Sequence, residues 1–472
     1  MFELDKWKNT FHSPLVSNIS LALYLAMLLF LVVFGFYMIT YTLFLISFLL
    51  LLPNLSNIKL FTEIEVKPLN QKLLFIFFTA LVLRIILLAQ NQVITRDLEV
   101  YVLRANWMME GQIPYQDFSV NKPPLYAYMI YFLGVTIGAG EIQFRAFFSV
   151  MDSIVAVILF YLCMCRFEEK FSFKTSFAYA ICPLPIVSIG LSGHYEPVVM
   201  ICVILSLFYL FKNKFELSAL LLGIGFAFKF FPIVLLPFFA WKINSWNRRI
   251  IYVILFSIPM AISILPMLIL SPNALSNYLV EQTYSWPAKK SFAWALELIT
   301  GTRSVLGLKY TLMVQLLFLA MIFFMFIHWI RKKFDVNFWF RIVVITYLIY
   351  YGIFIAASIK FYHSDFGIED PAPVMLIFML LYFPMIFYFI QKYWQQFELK
   401  IKKREEMFVL SAFSLIFLLF ASGQYNAWYI LWFLPFVLAI ENRYIRITLL
   451  WLMFWSYEGL GISLLPGLSL AG

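Results

Sequence analysis

The sequence predicts an all-α protein folded as a polytopic bundle of transmembrane helices. Of its 472 residues, 63% are hydrophobic and only 13% are charged, and the mean hydropathy is +0.88. A soluble domain has no interior large enough to hide so much apolar surface. Apolar runs of spanning length recur along the chain, and from them we expect about 12 to 14 membrane segments.

The apolar runs define the individual segments. They lie at 16–52, 71–90, 146–165, 174–190, 197–211, 215–241, 250–270, 308–330, 342–359, 372–391, 407–421, 427–440 and 444–458. The run 16–52 is long for one span and short for two, so both interpretations stay open. The run 215–241 carries Lys229, Pro232 and Pro237, and we interpret it as a hairpin of two short, proline-bent halves.

The formal net charge of +10 could suggest nucleic-acid binding, but the distribution of the charges along the chain indicates membrane topology instead. We therefore expect no nucleic-acid partner. If 215–241 is a hairpin, one set of loops shares a side of the membrane and carries 19 of the 35 Lys and Arg residues; these loops are 166–174, 212–214, 242–249, 331–341, 392–404 and 441–446. The positive-inside rule makes that side cytoplasmic. We then expect the external side to hold the loops 91–145, 191–196, 272–307, 360–370 and 422–426 and the tail after 459, with Lys229 near the hairpin tip on the same side.

The external loop 91–145 carries the strongest candidate for a catalytic group. Asp97 comes a few residues after an apolar run, so we expect it near the membrane surface. A carboxylate there can act as a general base if it meets an acceptor hydroxyl while water is excluded. The alternative is a solvated acidic residue at a helix start, because Thr95 or Asp97 could cap a helix over 98–110. Gly111 suits the end of that helix, and Pro123-Pro124 suit an extended return to the membrane.

Four stretches in order resemble the GT-C superfamily of membrane glycosyltransferases. They are "RDLEVYVLRANWMMEGQIPYQDFSVNKPPLYAYMIYFLG", "FRAFFSVMDSIVAVILFYL" with Arg145 and Asp152, "GIGFAFKFFPIVLLP" with Lys229 and Pro232, and "SGQYNAWYILWFLPF". The likeness extends over 84–440. The last stretch is similar to an element of the mannosyltransferase-like branches.

The resemblance implies a many-helix fold with its active site at the external or lumenal membrane face and Asp97 as the catalytic base. The donor it implies is a polyprenyl- or dolichyl-phosphate hexose, with mannose favoured. The acceptor is a lipid-linked glycan, a glycolipid or a cell-surface glycan. We expect an N-terminal segment over 1–70, a GT-C-like catalytic module over 71–270 and a variable helical module over 271–472. We favour a prokaryotic plasma membrane as the location.

Moving a sugar from a lipid phosphate to a hydroxyl requires a base and groups that stabilise the departing phosphate. Direct displacement inverts the anomeric carbon and needs no second carboxylate, so Glu99 is optional. It could orient Asp97, or bind a divalent cation as in the oligosaccharyltransferase branch. No His cluster supports a metal site, and we expect no cofactor, with a divalent cation left open.

Cationic residues on the external side are the candidates for binding the donor phosphate; they are Lys229, Arg145, His194, Lys122 and Arg84. An ionisable group in an apolar run is functional by default, which favours Lys229. Its structural alternative is pairing with a carboxylate such as Asp152. Arg145 could also pair with Asp152, two helical turns away, and His194 could be an ordinary interfacial histidine.

Polar and aromatic residues of the external segments are candidates for substrate binding; they are Tyr101, Tyr115, Glu196, Arg303, Gln424, Tyr425 and Asn426. The aromatic-rich loop 272–307 suits a lid, and equally an aromatic belt at headgroup depth. The rival class is a transporter or flippase of lipid-linked sugars. It would place ionisable groups along a mid-membrane pathway between related halves. Here most of the charge lies at one face of the membrane, and the two halves of the chain look unrelated.

Overall fold

A computed structural model describes residues 14–34, 38–90, 96–270, 273, 307–365, 401–421 and 427–461. Within these ranges the chain is helical and forms no strand, apart from an isolated bridge between Pro114 and Phe118. The predicted residues Arg303, Gln424, Tyr425 and Asn426, the loop 272–307 and the span 372–391 lie outside the described residues, apart from Asn273 and the helical residue at 307.

Residues 14–270 contain thirteen described α-helices, which we number in chain order. They are α1 (Pro14–Phe34), α2 (Met38–Leu51), α3 (Lys59–Glu65), α4 (Leu69–Ile85), α5 (Arg96–Met109), α6 (Pro124–Ile137), α7 (Glu141–Met164), α8 (Glu169–Ala180), α9 (Pro183–Gly190), α10 (Glu196–Phe211), α11 (Phe215–Phe228), α12 (Leu236–Trp241) and α13 (Trp246–Leu270). Short 3-10 turns follow α2, α4 and α11, at Leu52–Asn57, Ile86–Ala89 and Phe231–Leu235.

The described part of the C-terminal half adds α14 (Gly307–Ile330), α15 (Val336–Asp365), α16 (Glu406–Ala421), a 3-10 turn (Ala427–Trp432), α17 (Leu434–Leu438) and α18 (Arg443–Gly461). Across the described residues, five helices are long and apolar enough to cross a membrane, or seven if each of two bent pairs forms one span. Shorter apolar helices pack among them. The predicted all-α polytopic bundle is confirmed.

Both ambiguous apolar runs are now resolved. The run 16–52 forms two helices, α1 and α2, packed against each other. The run 215–241 breaks at Lys229, whose backbone is extended. The chain then turns back, and Pro232 lies against α11. The evidence is that a Cβ placed on Gly225 would be 3.5 Å from the Pro232 ring. The chain therefore forms the predicted hairpin, with Lys229 close to its tip.

Helix α10 separates the two ends of the bundle by about 23 Å, given its sixteen residues. Near its C-terminal end the Arg166 guanidinium lies 4.1 Å from the Phe211 ring, and Arg404 lies over Phe167. These residues come from loops predicted to share the basic side, and their contacts show that the loops meet. We call this the basic end.

The opposite end of α10 begins at Glu196, which pairs with Lys229 of the hairpin. The segment before α10 carries His194, which approaches Asp97 of α5. Three segments predicted on the non-basic side therefore come together here, and we call this the Asp97 end.

Candidate active site

Asp97 occupies the first turn of α5, where a negative charge is favoured by the helix N-terminus. Its side chain is partly buried, with 35% of its surface exposed. Burial acts to raise the pKa of Asp97, but the positive groups of Lys122, His194, Lys229 and Arg104 outweigh it and hold the pKa below its usual value. The carboxylate is therefore ionised at neutral pH and ready to accept a proton.

Lys122 lies beside Asp97 at the end of the loop that follows α5. Its ammonium is 5.0 Å from the ring centroids of Tyr101 and Tyr126, and 5.7 Å from that of Tyr195. Among the described residues its Nζ has no hydrogen bond and no ion pair. Burial lowers the pKa of Lys122 to about 8, although nearby Asp97 acts to raise it. Three aromatic faces thus hold a cation that is free to bind an anion.

The loop that carries Lys122 is fixed by Tyr115. The Tyr115 hydroxyl donates a hydrogen bond of 2.6 Å to the Lys122 carbonyl oxygen. Tyr115 itself has a φ of 70°, and Gly111 at the end of the preceding helix has a φ of 91°. Pro124 then begins α6, as expected for a proline in a first helical turn. The structure therefore gives Tyr115 a positioning contact with the lysine backbone.

His194 is fully buried and lies next to Asp97. Its Nδ1 is 3.8 Å from the Asp97 Oδ2, longer than a hydrogen bond. The imidazole stacks on Trp428, with ring centroids 4.0 Å apart and planes 20° apart. Burial lowers the pKa of His194 to about 4, so the ring is neutral at pH 7. A neutral ring can still donate one hydrogen bond to a phosphate or a sugar.

Lys229 forms an ion pair with Glu196. Its ammonium also lies 5.1 Å from the Tyr195 ring, 4.4 Å from the Tyr429 ring and 5.1 Å from the Trp432 ring. The alternative interpretation of Lys229 was that it pairs with a carboxylate such as Asp152, and a carboxylate does pair with it. That carboxylate is Glu196, however, and the charge of Lys229 is already balanced inside the site.

Arg84 is fully buried and pairs with Asp152. It donates further hydrogen bonds to the carbonyl oxygens of Ala80 and Ala180, and the Tyr179 hydroxyl donates to the second Asp152 oxygen at 2.6 Å. This network joins helices α4, α7 and α8 inside the bundle. It leaves Asp152 with partners other than Arg145 or Lys229, and it gives Arg84 a structural role in place of the predicted phosphate contact.

Arg145 binds backbone, not Asp152. Its guanidinium donates to the carbonyl oxygens of Leu87, Gln90 and Gly190 at 2.5 to 2.9 Å. Carbonyls at helix ends lack partners within the helix, and an arginine supplies the missing donors. Arg145 thus ties together the chain that precedes α5 and the chain that precedes His194, and we assign it a positioning role in place of phosphate binding.

The structure separates Glu99 from Asp97. Because residues two apart point to different faces of a helix, Glu99 is exposed while Asp97 turns inward. Tyr101 is fully buried, with its ring edge-on to Tyr126 and Tyr195. Of the predicted site residues, the structure brings together Asp97, Tyr101, Lys122, His194, Glu196 and Lys229.

Several residues of the site were missed by sequence reasoning; they are Arg104, Tyr126, Tyr195, Trp428, Tyr429 and Trp432. The spacing of Asp97, Tyr101 and Arg104 at four and then three residues places them on one helix face, so this signal was available. Within the described ranges, no group of three His, Cys, Asp or Glu residues could hold a metal ion.

Comparison with known proteins identifies the family. The profile of glycosyltransferase family 87 matches residues 122–357, half of the chain. GPI mannosyltransferase 1 of Saccharomyces cerevisiae is 23% identical over 144 residues, which are 29% of this chain and 34% of the relative, so the match covers about a third of that protein. No solved structure matches the chain. The chain belongs to glycosyltransferase family 87, and it is a multi-pass membrane glycosyltransferase of the GT-C type.

Proposed function

We propose that the protein transfers a hexose, with mannose favoured, from a polyprenyl- or dolichyl-phosphate sugar to a hydroxyl group. The acceptor is a lipid-linked glycan, a glycolipid or a cell-surface glycan. The observation that carries this proposal is the half-buried Asp97 carboxylate beside Lys122, a cation without an anionic partner among the described residues. A base and an anion-binding group therefore lie side by side.

The proposed step is a direct displacement with inversion at the anomeric carbon. Asp97 accepts the proton of the acceptor hydroxyl as its oxygen forms the new bond to carbon 1 of the sugar. The bond between carbon 1 and the phosphate oxygen breaks, and its electron pair leaves with the polyprenyl phosphate. Lys122 stabilises that phosphate through its positive charge.

The charges around Asp97 couple donor binding to base strength. In the free protein, the nearby lysines help hold the pKa of Asp97 down, which makes the carboxylate a weak base. When a donor phosphate binds Lys122, its negative charge offsets the ammonium. The pKa of Asp97 then rises towards a value better suited to general-base catalysis.

The position of the site supports a membrane-embedded donor. The Asp97 end and the basic end lie at opposite ends of α10, and the positive-inside rule makes the basic end cytoplasmic. On this basis we propose that transfer occurs at the external or lumenal face of the membrane. Mannose is favoured by the name of the yeast relative and by the late mannosyltransferase-like element around Trp428.

Membranes from cells that express the wild type or Asp97→Asn test the proposal. We expect radiolabelled sugar to move from a polyprenyl-phosphate hexose to an acceptor in wild-type membranes, and to fail to move in the variant at equal expression. Glu110→Gln, an exposed carboxylate exchange in the same region, is the matched control. Movement of labelled lipid across the bilayer without any labelled acceptor would instead indicate the rival flippase.

A further inference from the structure

Several buried side chains behind Asp97 and Lys122 carry polar atoms that have no hydrogen-bond partner in the described structure; Tyr126 is one, and four more carry the argument. They are the hydroxyls of Tyr101 and Tyr195, both ring nitrogens of His194, and the Oε2 atom of Glu196. All four residues have essentially no exposed surface. Tyr195 lies between His194 and Glu196 in sequence, and its ring is 5.8 Å from that of Tyr101. The atoms therefore belong to one cluster.

Such a cluster is costly unless a partner fills it. A buried polar atom without a hydrogen bond destabilises the fold, and more strongly when it is charged. Native proteins satisfy nearly all buried polar groups with protein atoms, ordered water or a ligand. A group of such atoms concentrated beside a proposed base therefore indicates a partner from outside the chain.

The chemistry of these groups favours an uncharged, hydroxyl-rich partner. Burial raises the pKa of Tyr101 and of Tyr195, so both phenols remain protonated donors. The free oxygen of Glu196 is an acceptor, and the neutral His194 ring offers one donor and one acceptor. Sugar hydroxyls both donate and accept hydrogen bonds, so they match this mixed set.

A phosphate fits the same cluster poorly. The carboxylate of Glu196 would repel it, and Lys229, the cation that contacts that carboxylate among the described residues, is already paired with it. Lys122, which has no ion pair among the described residues, lies over the Tyr101 and Tyr195 rings. Phosphate and sugar therefore have separate partners in the site.

We propose that Tyr101, His194, Tyr195 and Glu196 form the subsite that binds the hydroxyls of the donor sugar, with Glu196 selecting one hydroxyl by accepting its hydrogen bond. This inference rests on the proposed transfer from a polyprenyl-phosphate hexose. Lys229 is then a positioning residue, because its ion pair holds one Glu196 oxygen and leaves the other for the sugar.

Monodeoxy donors provide the test. We measure kcat/KM for transfer from a polyprenyl-phosphate hexose and from versions that each lack one sugar hydroxyl. Wild type should use one deoxy donor about tenfold to a hundredfold less well than the parent, as expected for losing a hydrogen bond to a charged acceptor. In Glu196→Gln that particular penalty should shrink severalfold, whereas Glu110→Gln should keep it unchanged.

Tyr195→Phe is a second variant that keeps the test valid if Glu196→Gln does not fold. Glu196→Gln leaves Lys229 without its counterion, whereas Tyr195→Phe removes one hydroxyl and keeps the ring under both lysines. It should weaken discrimination at one hydroxyl while preserving thermal stability. If wild type uses every deoxy donor equally, or if both variants discriminate as wild type does, the cluster binds only structural water and the subsite is wrong. If wild type uses no polyprenyl-phosphate hexose at all, the proposed function itself is wrong.

Discussion

The Nδ1 atom of His194 lies 3.8 Å from the Oδ2 atom of Asp97, although the two residues are almost a hundred positions apart in the sequence. The gap is slightly too long for a hydrogen bond and too short for a water molecule to fit between the two atoms. His194 is held in this place by the Trp428 ring beneath it and by the chain turn at Gly193. The proposed base, Asp97, therefore has the fixed neutral ring of His194 on one side and the Lys122 ammonium nearby.

Replacing Lys122 should weaken donor binding. Lys122→Met removes the one ammonium near Asp97 that lacks an anionic partner in the described structure, and a charge-assisted hydrogen bond is worth about 1.5–3 kcal/mol. We therefore expect the KM for the donor to rise about tenfold to a hundredfold, with a smaller effect on the KM for the acceptor. Lys122→Arg should restore most of the donor affinity, and an unchanged donor KM in Lys122→Met would exclude the phosphate role.

The same lysine should set an alkaline limit on activity. Burial lowers the pKa of Lys122 to about 8, so its cation is present below that pH and is lost as the pH rises through it. We expect kcat/KM for the donor to fall with a midpoint near pH 8, since that ratio reports the free enzyme. Arginine stays charged over this range. A Lys122→Arg variant that keeps the same alkaline fall would show that another group titrates.

Gly193 should tolerate no side chain. Its φ is 63°, and a Cβ there would lie 2.9 Å from Arg145 Cγ and from Leu98 Cδ1. Gly111 has a similar left-handed backbone, with φ of 91°, but open space around it. Both alanine variants carry the backbone strain of about 1–2 kcal/mol, and only Gly193→Ala adds the steric clash.

We therefore expect Gly193→Ala to lower both thermal stability in detergent and sugar transfer more than Gly111→Ala does. The difference isolates the packing of Arg145 and Leu98 against the turn that carries His194. Equal losses in the two variants would mean that the clash is relieved without disturbing the site.

Removing the buried Arg84 should affect folding and not donor recognition. Among the described residues, Arg84→Met leaves the buried Asp152 carboxylate with only Tyr179 as a side-chain partner. Breaking a buried ion pair in this way costs about 3–5 kcal/mol. Folded protein recovered in detergent should fall sharply. The fraction that does fold should keep a wild-type KM for the donor. A raised KM would indicate that Arg84 does bind the donor phosphate.

The sequence was informative where a feature is local. The helix start at Asp97, the helix end near Gly111 and the break at Lys229 each depend on a few neighbouring residues, and the structure has all three. The hairpin over 215–241 was also predicted from the basic loops, because the positive-inside rule acts on each loop separately. Even the separation of Asp97 from Glu99 needs only the helical period.

Which side chains pair with each other between helices could not be predicted from such local patterns. Arg145 and Lys229 were each candidates to pair with Asp152, yet Arg84 takes that carboxylate and Glu196 takes Lys229. Spacing along one helix cannot reveal which side chain a neighbouring helix supplies. The stacking of Trp428 on His194 joins residues more than two hundred positions apart and has no local signal.

The most direct test of the central claim is single-turnover sugar transfer by purified Asp97→Asn in proteoliposomes, with donor and acceptor saturating. Loss of a general base typically slows the chemical step about 10²- to 10⁴-fold, and we expect a loss of that size with donor binding preserved, because asparagine keeps the shape but cannot take the proton. Transfer by Asp97→Asn at the wild-type rate would contradict the account.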